Sequence, residues 1–125
     1  MADIKEKAIA MLHSESGLNL NNAAENTLFY CPTGKRCVIT EVVVVDPSAN
    51  VSTVDVSAGW NTANADDVVA LTGALTISQD NYKKLTVMSN AAIGEAGEAF
   101  KFEVQTPEGG AATGTVLVFG YQFDA

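Results

Sequence analysis

The stretch LFYCPTGKRCVITEVVVVDPS, Leu28 to Ser48, decides the fold class. It opens with a short apolar run and passes through Pro32-Thr33-Gly34-Lys35. It then continues as a long run from Arg36 to Asp46 that carries Val38, Ile39 and four consecutive valines, Val42 to Val45. Pro32 presets φ for a turn, and Gly34 can take the positive φ that a branched residue resists. β-Branched side chains at this density suit a pleated, well-buried strand. Asp46-Pro47-Ser48 is a stop signal. The stretch therefore predicts a hairpin: a short strand, a tight turn and a long buried strand.

The same signals recur on either side. Val54 and Val56 alternate with Asp55 and Ser57, the mark of a strand with one buried face. Val68 to Leu71 and Ala74 to Ile77 are short apolar pieces separated by Thr72-Gly73. Lys83 to Met88 predicts another strand, with Leu85 and Val87 on one side. Phe100, Phe102 and Val104 alternate with Lys101, Glu103 and Gln105, the clearest two-residue period in the chain. Thr106 to Gly110 predicts a second hairpin turn. In the last strand, Thr113 to Phe123, Val116, Val118, Gly120 and Gln122 share one face, and Leu117, Phe119, Tyr121 and Phe123 share the other.

Seven or eight short strands, with turn signals about every ten residues, predict an all-β sandwich or small barrel; an antiparallel sandwich, jelly-roll-like, over residues 23–125 is the expected fold. Residues 1–22 are expected to form an N-terminal arm or first strand. Ile4, Ala8, Met11 and Leu12 fall at helical spacing, while Ala8 to His13 could equally extend along a sheet edge. The all-β remainder favours the extended reading. Leu18-Asn19-Leu20-Asn21 alternates like a half-exposed strand.

Composition narrows the functional classes. The chain has 125 residues, 47% of them apolar, enough for one domain with a real core. Fifteen acids against seven bases leave a formal charge of −8. Phosphate recognition needs clustered Lys and Arg, so neither nucleic acid nor an anionic membrane is an expected partner. MADIKEKAIAMLH is too charged and too briefly apolar for a secretory leader, so synthesis in a cytoplasm is expected.

Candidate chemical groups are few. His13 is the single histidine, and no nucleophile or carboxylate set can be placed beside it. Asp66-Asp67 with Asp80, or Asp46 with Asp55, lack the spacing of a calcium loop and read as turn carboxylates. The glycines of IGEAGEAF lack the Lys-Thr of a phosphate loop and read as a plain loop. Cys31 and Cys37 match no metal or redox spacing. Two small buried thiols are expected of them, with a Cys31–Cys37 disulfide as the alternative. No enzyme, cofactor or metal is expected. Trp60 is either a lid on the core or an exposed contact residue. Lys35-Arg36 and Lys83-Lys84 could form a small positive patch on an acidic body.

The segments TLFYCPTGKRCVITEVVVVDPSANVSTVDVSAG and FKFEVQTPEGGAATGTVLVFGYQFDA resemble the small β-sandwich accessory proteins of tailed-bacteriophage virions. The likeness lies in the aromatic-x-x-Pro-x-Gly-Lys turn, the Val- and Ile-rich strand with its Asp-Pro-Ser stop, and the closing Gly120-Tyr121 strand. The two cysteines depart from that pattern. The resemblance implies a capsid cement or decoration protein on the outer capsid surface, partnered by the major capsid protein and by itself as a homotrimer. A tail or fibre module that binds a carbohydrate or receptor is the alternative. Expected interface residues are Ile4, Met11, Leu12, Leu18, Leu20, Lys35, Arg36 and Trp60.

Overall fold

The computed structural model describes residues 9–61 and 63–125. Seven strands are found among them: β1 (Ala10–Asn19), β2 (Ala24–Tyr30), β3 (Lys35–Val45), β4 (Asp55–Gly59), β5 (Tyr82–Leu85), β6 (Ala99–Thr106) and β7 (Thr113–Asp124). A four-stranded sheet runs β1-β7-β3-β5, and a three-stranded sheet runs β2-β6-β4. All pairings are antiparallel.

Each strand lies in the opposite sheet from the strand before it. This is the alternation of a jelly roll, in which two sheets close on one core. Val69 forms an isolated bridge to Ala58 of β4. The apolar piece at 68–71 thus occupies the place of an eighth strand without becoming one.

The topology corrects the two expected hairpins. The strands flanking Pro32–Lys35 both exist, and the turn closes with Lys35 N–H donating to Pro32 O at 3.1 Å and Gly34 at φ 78°. Yet β2 pairs with β6, and β3 pairs with β7 and β5. The turn is a corner between sheets. The connection at Thr106 to Gly110 is likewise a crossover from β6 to β7. Turn chemistry bends the chain in both cases; which sheet the next strand joins is decided by where its apolar face finds the core.

The faces follow the sequence alternation. Phe100, Phe102 and Val104 of β6 are buried, as are Val116 and Val118 of β7. Cys37, Ile39, Val42 and Val44 point inward from β3; a bulge at Thr40 shifts the register between Ile39 and Glu41, so the inward positions pass from odd to even numbers. Full burial of a side chain of this size contributes roughly 1.5–3 kcal/mol. Phe29, Trp60 and Phe100 form an aromatic cluster, with centroid distances of 5.8 Å (Phe29–Trp60), 5.6 Å (Phe29–Phe100) and 5.0 Å (Trp60–Phe100).

One carboxylate helps hold the loops. Glu108, in the β6–β7 crossover, is only 9% exposed. Its Oε1 accepts the backbone N–H groups of Ser52, Thr53 and Val54 at 2.9, 2.9 and 3.2 Å. The Thr53 N–H is the foremost cause that holds its pKa below the usual carboxylate value; burial opposes it.

Candidate interaction surface

The outer faces of the two sheets differ in chemistry. On the three-stranded sheet, Glu25 pairs across to Glu103, and Thr27 to Lys101. Lys101 Nζ lies 3.2 Å from Glu25 Oε1 and donates to Asn61 O at 3.1 Å. Glu103 accepts the N–H of Ala65 at 3.2 Å. That face is charged and partly covered by its own loop.

The outer face of the four-stranded sheet is largely apolar. Register places Met11 of β1 beside Phe119 of β7, Val38 of β3 beside Tyr121, and Val43 beside Leu117. Val45 of β3 lies beside Tyr82 of β5. Leu117, Phe119, Tyr121 and Phe123 are all half-buried, while Met11 and Tyr82 are 53% and 69% exposed. A sandwich in water would be expected to carry polar residues at these outward positions, as the other sheet does.

Charges at the corner of this face, and Glu41 and Lys84 within it beside Phe119 and Val43, are matched within the chain. Arg36 Nη2 lies 2.9 Å from Glu95 Oε1, and its guanidinium sits 5.5 Å from the centroid of the Phe123 ring. Lys35 Nζ lies 2.7 Å from Asp124 Oδ1, and Lys84 Nζ lies 3.6 Å from Glu41 Oε1. The face therefore brings little of the chain's net negative charge to a neighbour.

The two edges of this sheet also differ. β5 is four residues long and carries Lys83 and Lys84, the usual protection against stray pairing. β1 is ten residues long, with Ile9 just before it and Met11 within it exposed and no charge before Glu15. Its outer edge is paired with no strand among the described residues. Such an edge can accept an added strand from a neighbour.

The expected interface residues are thus divided. Met11 lies on the apolar face, Leu12 is half-buried against the core, and Lys35 and Arg36 stand at the corner. Ile4 lies outside the described residues. Leu18 and Leu20 are corrected: they are 5% and 1% exposed, so they face the core, and of the two readings of Trp60, 3% exposed, the structure shows the lid and not the contact residue. Leu18 and Leu20 alternate as a one-sided strand should, and the core side is the apolar one. Trp60 is a core lid, held by Asp67 Oδ1, which accepts the N–H groups of Trp60 and Asn61 at 2.6 and 3.2 Å. Its ring cannot stack on a sugar in this conformation.

The other candidate groups have structural partners. His13 stacks on Phe29 at 5.7 Å and hydrogen-bonds Glu15 at 2.8 Å. Asp55 accepts the N–H of Gly73 at 3.0 Å. Among the described residues no three His, Cys, Asp or Glu side chains converge as a metal site. Cys31 and Cys37 are both buried as free thiols. The apolar face itself was visible in the sequence as the Leu117-Phe119-Tyr121-Phe123 alternation. It could not be recognised as outward-facing until the core had been located.

No family model matches the chain, and no curated protein matches it. Solved structures do. A chain of the acid-stable capsid structure of Helicobacter pylori bacteriophage KHP30 is 14% identical, with a TM-score of 0.51; the match covers 95% of this chain and 99% of that one. A chain of the cyanophage Pam1 capsid asymmetric unit is 11% identical, also with a TM-score of 0.51, over 93% of this chain and 86% of that one. At these identities the likeness is one of fold.

Proposed function

We propose that the protein is a non-enzymatic structural component of a bacteriophage virion, a cement or decoration protein that sits on the outer capsid shell and stabilises contacts between capsomers. The observation that carries this reading is the near end-to-end match with a chain of a phage capsid structure, 99% of which is covered. The matched chain is itself about one sandwich long.

The surface chemistry supports the same reading. The largely apolar outer face of the four-stranded sheet, with its charges matched internally, suits packing between copies of the chain, and a homotrimer is the assembly we assign to it. The open edge of β1, with Ile9 and Met11, suits contact with the major capsid protein.

The test is direct. The purified protein should be trimeric by light scattering and should co-sediment with expanded capsids of its own phage assembled without it. A protein that stays monomeric and fails to bind those capsids overturns the proposal.

A further inference from the structure

We infer that Cys31 and Cys37 form an oxidation site, placed to close an intramolecular disulfide that ties the two sheets together at one end of the sandwich. Their sulfur atoms are 3.0 Å apart. Cys31 follows β2 of the three-stranded sheet, and Cys37 lies within β3 of the four-stranded sheet. The bond would therefore span the corner between sheets. The poor geometry of neighbouring strands within one sheet does not apply to it.

The backbone already holds both residues for the bond. Cys31 N–H donates to Glu98 O at 2.8 Å, and Gly97 N–H donates to Cys31 O at 2.8 Å. Cys37 N–H donates to Gly94 O, and Gly94 N–H returns to Cys37 O, each at 2.9 Å. One loop, 94–98, thus fixes both cysteines. Shortening the contact to a bond of about 2.0 Å asks for roughly 1 Å of sulfur movement. The weak hydrogen bonds from Cys31 Sγ to Lys35 O at 3.3 Å and to Gly94 O at 3.6 Å are released in exchange.

The oxidant we name is a small-molecule disulfide such as oxidised glutathione. One cysteine thiolate attacks it to give a mixed disulfide and one released thiol. The second cysteine thiolate then displaces the other thiol and forms the Cys31–Cys37 bond. Two protein protons are lost and one disulfide is reduced to two thiols. In the closed fold this is slow. Both thiols are buried, and the Cys37 pKa is pushed up to about 12, first by burial and then by its neighbour Cys31. Exchange therefore proceeds through opening of the corner. Once formed, the bond limits the unfolded chain, so the oxidised protein is the more stable form.

The experiment treats the whole protein with excess oxidised glutathione in sub-denaturing urea. The product's intact mass, its peptide map and its melting temperature before and after dithiothreitol are then compared. The expected product has lost two hydrogens, carries a Cys31–Cys37 crosslink, and melts higher than its reduced form by on the order of 5–10 °C. The Cys37→Ala variant should take a single glutathione adduct and show no such rise. A product of glutathione adducts on both cysteines, a covalent dimer, or a crosslinked protein that melts no higher than the reduced one would overturn the inference. The comparison within the unmodified sequence decides the matter even if the variant fails to fold.

Discussion

The backbone of Gly94 lies against the six-membered ring of Trp60. A Cβ placed on Gly94 would run into Cζ2, Cε2 and Cη2 of the indole. Trp60 cannot easily retreat, because Phe29 and Phe100 pack edge-on to it and Asp67 fixes its backbone. Gly94 is also held in place by its bridge to Cys37. Gly94→Ala is therefore expected to destabilise the fold by about 1–3 kcal/mol through overpacking. A shift in the urea midpoint, with a change in tryptophan emission of the folded state, is the measurement. An unchanged midpoint would mean that the ring and loop separate freely.

Glu108 supplies the second prediction. Removing its carboxylate leaves the N–H groups of Ser52, Thr53 and Val54 without their acceptor, and Glu108→Ala is expected to cost about 2 kcal/mol. Glu108→Gln keeps one acceptor oxygen and should cost less. The pH dependence has a definite sign. The folded-state pKa is lowered, so the carboxylate's contribution is fully present above its unfolded value of about 4.3 and is lost as pH falls through the folded value. The stability gap between the native protein and Glu108→Gln should be constant near neutrality and narrow below about pH 4.3. Denaturation curves across that range measure it, and a gap that widens in acid would contradict the assignment.

Much of the fold was legible in the sequence. The two-residue periods at Phe100–Gln105 and Thr113–Phe123 are local properties of a strand with one buried face. They appear as β6 and β7 with Phe100, Phe102, Val116 and Val118 inside. Pairing was not legible. Every ladder joins strands that are not neighbours in sequence, and a turn such as Pro32–Lys35 has the same chemistry whether it closes a hairpin or rounds a corner. Trp60 shows the same limit for side chains. A single aromatic in a loop carries no period, so its burial depends on Phe29, Phe100 and Gly94, which reach it from other parts of the chain. The interface candidates Leu18 and Leu20 were misassigned for a related reason: apolar character marks the core and a contact surface alike.

Ion pairs should divide by burial. Lys35–Asp124 is short at 2.7 Å, but Asp124 is 72% exposed, so Asp124→Asn is expected to cost no more than about 0.5 kcal/mol. Lys101 is different. Its side chain is 11% exposed and meets both Glu25 and the Asn61 carbonyl, tying Asn61 to the three-stranded sheet. Lys101→Met keeps much of the stem's packing and loses both polar contacts, for an expected cost of about 1–2 kcal/mol. Chemical denaturation of the two variants side by side would show the difference; equal costs would contradict this division.

The outer face of the four-stranded sheet gives the prediction most closely tied to function. Tyr121 sits beside Val38 on that face and is half-buried within one chain. If copies pack there, Tyr121→Lys places an unpaired ammonium inside the contact. Association should weaken by about 30-fold or more, the equivalent of losing a 2 kcal/mol anchor. The fold itself should survive, because Tyr121 points away from the core and its register partners are unchanged. Thr27→Lys, on the charged face of the other sheet, is the matched control and should leave association as it was. Sedimentation equilibrium of both variants, with circular dichroism to verify folding, reads the result. Loss of association in both variants alike, or in neither, would remove the apolar face from the assembly.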